Sequence, residues 1–210
     1  WPHSWDLDDI SNGNPATIGD KRVKKYAFNF LEQLTVGLLA HEFAHVLGAP
    51  DLYHYEDSYA AVGNWDLMHY EGDTPQYMTT HMRHKYLNAL GENQISPIEF
   101  NGIYSLKPVT LTPKEHILAY RINTERPDEY FMVEYRNNNV STYDSSLPGS
   151  GLIIYRVKQG VYGNADSLKN NPSKPDEVFI FRPNAVTTGT DAVRSVANLN
   201  RAYLSPDNSD

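Results

Sequence analysis

An α+β fold is expected: a helical first part, residues 1–92, followed by an antiparallel β-rich, sandwich-like part, residues 93–210. Two observations carry that expectation. Residues 26–47 are apolar at nearly every position, a run too long for a strand and suited to a buried helix. From about residue 98 the texture changes to short β-branched and aromatic runs, "GIYSLKPVTL", "HILAYRI", "EYFMVEYR", "GLIIYRV" and "EVFIFRP", separated by Pro, Asn, Asp and Gly.

Residues 1–25 contain "SNGNPATIGDK" and read as turn-rich loop with room for a short hairpin. The helix over 26–47 includes Gly37, which costs about 1 kcal/mol relative to alanine and so predicts another segment packed close against it. Gly48 and Pro50 stop that helix, glycine by accepting the left-handed conformation and proline by breaking the ladder. Residues 51–75 are irregular and rich in tyrosine and acids. A second helix follows over 76–90, with Met78, Met82, Tyr86 and Leu90 at helical spacing and Gly91 as its cap. There is no internal repeat and no low-complexity tract.

The 210 residues are 40% hydrophobic and 21% charged, an ordinary folded composition. A net charge of −8 and the lack of a basic patch argue against nucleic acid as the main partner, while leaving room for hard cations such as calcium. The absence of cysteine excludes disulfides, thiol nucleophiles and thiolate metal sites. No run is long and apolar enough to span a bilayer. With no initiator methionine and no signal peptide at "WPHSWDLDD", the chain reads as a piece of a larger protein.

The chemistry concentrates in "HEFAHVLGAPD", residues 41–51. On a helix, positions i and i+4 share a face, so His41 and His45 can hold one zinc ion. Glu42 is turned away from that pair and placed to contact a water beside the metal. Gly48 reverses the chain and lets Asp51 return as an oxygen ligand, giving two imidazoles, a carboxylate and one open place, the pattern of a catalytic zinc site. Residue frequencies make a chance H-E-x-x-H rare, about 0.02 occurrences in such a chain. Met68, in "GNWDLMHYEG", can form a Met-turn beneath the site; its other reading is a core filler.

"HEFAHVLGAPDLY", "GNWDLMHYEG" and "EYFMVEYRN…LPGSGLIIYRV", in that order, resemble the immune inhibitor A family of secreted bacterial metallopeptidases, metzincin-type enzymes with aspartate as the third ligand. The resemblance covers roughly residues 30–160. It implies that His41, His45 and Asp51 bind zinc and that Glu42 is the general base and acid. Met68 becomes the turn methionine, and Tyr70, two places on, contacts the metal or the oxyanion. It also implies protein or peptide substrates, a secreted or cell-surface location, and a mixed sheet upstream of which "WPHSWDLDD" is the tail.

Alternatives stand beside this reading. Tyr70 can equally be a packing or surface residue, and His54, His69, His81 and His84 read as surface or satisfied histidines. Asp6, Asp8 and Asp9 are either a calcium site or a solvated face. A rival for the whole chain is a non-catalytic β-sandwich binding or adhesion module, its zinc site idle or structural.

Overall fold

The computed structural model describes residues 1–10, 14, 16–57, 59–91, 93–110, 116–168, 171–183 and 196–206. Strand β1 (His3–Asp6) leads into a single helical turn, α1 (Leu7–Ile10). A hairpin of β2 (Ala16–Ile18) and β3 (Lys21–Val23) follows, turned by Gly19 at φ +62°. Strand β4 (Lys25–Phe28) then returns antiparallel to β1, with Trp5 opposite Tyr26.

The long apolar run is therefore not one helix. Its first residues belong to the β1 ladder, and a 3₁₀ turn covers Leu31–Gln33. Thr35, in extended conformation, caps helix α2 (Val36–Leu47) by accepting the Leu38 N–H at 3.0 Å. The far end of α2 is as expected: Gly48 adopts φ 109°, and its N–H reaches back to the Ala44 and His45 carbonyls. Gly37 is also accounted for, because a Cβ there would lie 2.0 Å from the Gly72 carbonyl oxygen. The helix buries Gly37, His41, Glu42 and Ala44, while Val36, Leu39, Phe43 and Leu47 face outward.

Helix α3 (Thr80–Lys85) is shorter than the expected 76–90. Asn88 enters the left-handed region at φ 48°, so the chain turns before Gly91, which instead bonds the Gln94 side chain. The β-rich part is one sheet of five strands in sequence order. These are β5 (Ile95–Pro97), β6 (Ala119–Asn123), β7 (Glu129–Arg136), β8 (Gly151–Lys158) and β9 (Val178–Ile180). β5 pairs parallel with β6, and every other pairing is antiparallel. Among the described residues of "GIYSLKPVTL", 102–110, there is no strand, and Pro108 forms an isolated bridge to Tyr135; a proline has no N–H with which to extend a ladder. Helix α4 (Val196–Asn200) follows, and Leu204 beyond it forms an antiparallel bridge to Leu152 on β8.

The sandwich expectation is corrected here. Among the described residues from 93 onward there is one sheet, and its inner face packs on α3 and the loop before it. That face alternates Met132, Glu134 and Arg136 on β7 with Ile153, Tyr155 and Val157 on β8. Arg136 donates to the Trp65 and Tyr77 carbonyls, and Glu134 accepts the Thr80 N–H at 2.8 Å. A second sheet could not supply those backbone partners so readily, because its own ladder would use them. The result is a mixed α/β architecture with few helices. One apolar cluster includes Ala44, Leu52, Trp65 and Met68 together with Met132, Ile153, Tyr155 and Ile180.

Candidate metal centre

Helix α2 sets His41 and His45 one turn apart, with ring centroids at 4.7 Å. Each ring is oriented through Nδ1, His41 to the Leu67 carbonyl at 3.0 Å and His45 to the Ala49 carbonyl at 2.7 Å. A carbonyl can only accept, so Nδ1 carries the hydrogen and the neutral ring presents the Nε2 lone pair inward. The two Nε2 atoms are 3.1 Å apart. Asp51 Oδ1 lies 3.1 Å from one and 3.2 Å from the other.

Three electron-rich atoms thus converge on one point. Tetrahedral ligands at zinc-like bond lengths of about 2.0–2.1 Å sit about 3.3–3.4 Å apart, close to this triangle. Close to it the buried Glu42 Oε2 has no hydrogen-bond partner among the described residues. Without a cation, such a cluster leaves lone pairs facing one another out of water, which is costly. His41, His45 and Asp51 could therefore hold a metal ion.

The electrostatics point the same way. Burial pulls the His41 pKa down, yet the Asp51 carboxylate and the Leu67 carbonyl outweigh it and raise it to about 9. Burial pushes Asp51 up, but its bonds to His41, His45 and Tyr55 hold it well below the usual carboxylate range. Both shifts express one preference for positive charge at the centre of the triangle. Glu42 is raised by burial, an effect the two imidazoles only partly offset.

Asp51 is delivered by the bend at Gly48 and held by its surroundings. Leu52 N–H donates to the Met68 carbonyl at 2.8 Å, so residues 67 and 68 support both His41 and the Asp51 segment. Met68 itself is fully buried, its own N–H bonded to Asp66. The Tyr55 hydroxyl donates to Asp51 Oδ2 and leaves Oδ1 to the imidazoles. Burial, with that bond, pushes the Tyr55 hydroxyl up, so it stays a donor.

A cleft of about 600 Å³ opens over the triangle, lined by Glu42 together with Trp1, His3, Tyr53, Tyr55 and Tyr162. Tyr70 is not among its lining residues; it is half-exposed, its ring against Gly72. Sequence reasoning passed over Tyr53, which stacks on His41, and Tyr55. The available signal was their position two and four residues past Asp51. Tyr162 and His3 reach the cleft only through tertiary structure and left no such signal.

The four histidines read as spare, His54, His69, His81 and His84, are occupied or exposed. His54 is held between Asp57 at 2.9 Å and Asp176 at 2.6 Å, and His69 donates to the Leu52 carbonyl. His81 bridges Glu177 and the Tyr130 hydroxyl, and His84 is exposed. Of the acidic trio, Asp8 pairs with Arg22 at 2.6 Å and Asp6 accepts the Asp8 N–H, so these oxygens do not converge. Among the described residues no helix is long and apolar enough to cross a membrane. No family model, curated protein or solved structure matches the chain.

Proposed function

We propose that the chain carries the catalytic region of a zinc-dependent endopeptidase similar to immune inhibitor A, a metzincin-type enzyme acting outside the cell on protein or peptide substrates. The observation that carries this reading is the convergence of His41 Nε2, His45 Nε2 and Asp51 Oδ1 beside an unpartnered Glu42 Oε2. Two imidazoles and one carboxylate suit zinc, and a three-residue set leaves the open place that a purely structural site would close. A bound zinc ion supplies Lewis-acid polarisation of a water and of the scissile carbonyl.

The protein's own part is proton transfer and placement. Glu42 lines the cleft and its buried Oε2 has no hydrogen-bond partner among the described residues, so it can take the proton from the attacking water and pass it to the leaving amine. Burial raises its pKa above the ordinary carboxylate value. Leu67 and Ala49, through their carbonyls, keep the two imidazoles in the tautomer that presents Nε2.

Glu42→Gln tests this directly. The variant should retain one equivalent of zinc while cleavage of a casein-type substrate falls at least about a hundredfold. Unchanged cleavage would remove Glu42 from the reaction. Zinc bound by the native chain without any turnover would favour the idle or structural site.

A further inference from the structure

We propose that the corner formed by Tyr162, Gly163 and Asn164 is a positioning device for the metal centre: it sets the Asp51 segment so that Oδ1 can share an ion with the two imidazoles. This rests on the metal-binding reading above. His41 and His45 are placed by a capped helix, but Asp51 lies in a stretch with no regular structure of its own. A carboxylate there needs an external frame, because ligand atoms must sit within about 0.2 Å of their places for tight binding.

The frame comes from the β-rich part. Asn164 N–H donates to the Asp51 carbonyl at 2.9 Å, and Asn164 Nδ2 donates to the Leu52 carbonyl at 3.2 Å. Tyr55 N–H donates to the Ala165 carbonyl at 3.1 Å, so the two segments run side by side. Asn164 is in turn locked to β9: its Oδ1 accepts the Val178 N–H at 3.1 Å and its Nδ2 donates to the Val178 carbonyl at 2.9 Å. The side chain is completely buried and copies a peptide group, accepting once and donating twice. Neither aspartate nor leucine can do both.

The neighbours tighten the grip. Gly163 sits at φ +66°, and a Cβ there would lie 2.6 Å from both the Asp51 carbonyl oxygen and Pro50 Cβ. Its N–H is anchored by Glu177, a buried carboxylate that also accepts from His81, Lys85 and Tyr86. The Tyr162 hydroxyl donates to the Gly48 carbonyl at 3.1 Å, at the bend that delivers Asp51. None of these three residues is a ligand. Together they hold the third ligand's backbone at Gly48, Asp51 and Leu52.

The test uses the full chain, with zinc and cobalt(II) as probes and a chromophoric chelator as competitor. Asn164→Asp and Asn164→Ala should keep the native far-ultraviolet circular dichroism yet bind metal about 10–100-fold more weakly, with an altered cobalt absorption spectrum. A merely structural role would lower the melting temperature and leave the cobalt spectrum of the folded fraction as it was. Native affinity and a native spectrum in both variants would overturn the proposal. Should neither fold, Tyr162→Phe decides, since it removes only the hydroxyl of a mostly exposed side chain. Weaker metal binding there supports the device, and unchanged binding overturns it. If the native chain takes up neither metal, the metal reading fails and this one with it. If the native chain binds zinc and cleaves casein while the variants match it, only the positioning role falls.

Discussion

At Asp51 the two carboxylate oxygens have different tasks, and Tyr55 is what separates them. Its hydroxyl takes Oδ2, which turns Oδ1 towards the imidazoles. Tyr55→Phe should therefore lower zinc affinity about 10–100-fold, measured by chelator competition, because outer partners of metal ligands have effects of that size. Tyr55 as a residue is 62% exposed, so thermal stability should hardly change. A variant with native affinity would show that the hydroxyl is dispensable. The grouping of His41, His45 and Asp51 was legible because its geometry is local: four residues on a helix for the histidines, one bend for the aspartate. Tyr55 and Tyr53 were legible in principle and overlooked among many tyrosines. Asn164 was not legible, since its relation to Asp51 exists only after β9 is in place. Tyr70 shows the converse: the spacing after Met68 suggested a site residue, and the chain places its ring outside the cleft.

Helix α2 is the element on which the centre is built, and its packing limits are severe. Gly37 has no room for a methyl group, since the Gly72 carbonyl oxygen would be 2.0 Å from it. Gly37→Ala gains about 1 kcal/mol in helix propensity but forces a backbone shift costing about 1–3 kcal/mol or more. The loss should prevail, lowering the melting temperature by several degrees, about 2–4 °C per kcal/mol for a chain of this size. A rise on heating would show that the loop at Gly72 yields easily. Strands β6 to β9 were readable from their own residues, since each is a short β-branched or aromatic run between breakers. The start of α2 was not. Residues 25–28 have the apolar content of a helix, and only pairing with β1, about twenty residues earlier, makes them a strand. Pro108 likewise decides against a strand that its neighbours favour.

Across the whole molecule, buried polar fasteners join the part that carries His41, His45 and Asp51 to the sheet. Arg136, with no exposure, donates to Asp144, Glu134 and the Trp65 carbonyl. Arg136→Leu would strand two buried carboxylates, so a loss of about 3–5 kcal/mol in unfolding free energy is expected from denaturant titration. A second fastener depends on pH. His54 lies between Asp57, in the loop after Asp51, and Asp176, just before β9. Burial alone would lower its pKa, but the two carboxylates outweigh that and raise it above the ordinary 6.5. The folded state thus binds the proton more tightly than the unfolded one. The stabilisation is complete below about 6.5 and is lost as pH rises through the higher folded value. Comparing the native chain with His54→Gln in chelator-treated samples isolates this effect, because His41, also raised, titrates in both. The stability gap should be widest below about pH 6.5 and narrow as the pH rises above it. A gap that stayed constant or widened over that range would mean the imidazole is neutral between its two acids, and that the loop is fastened by hydrogen bonds alone.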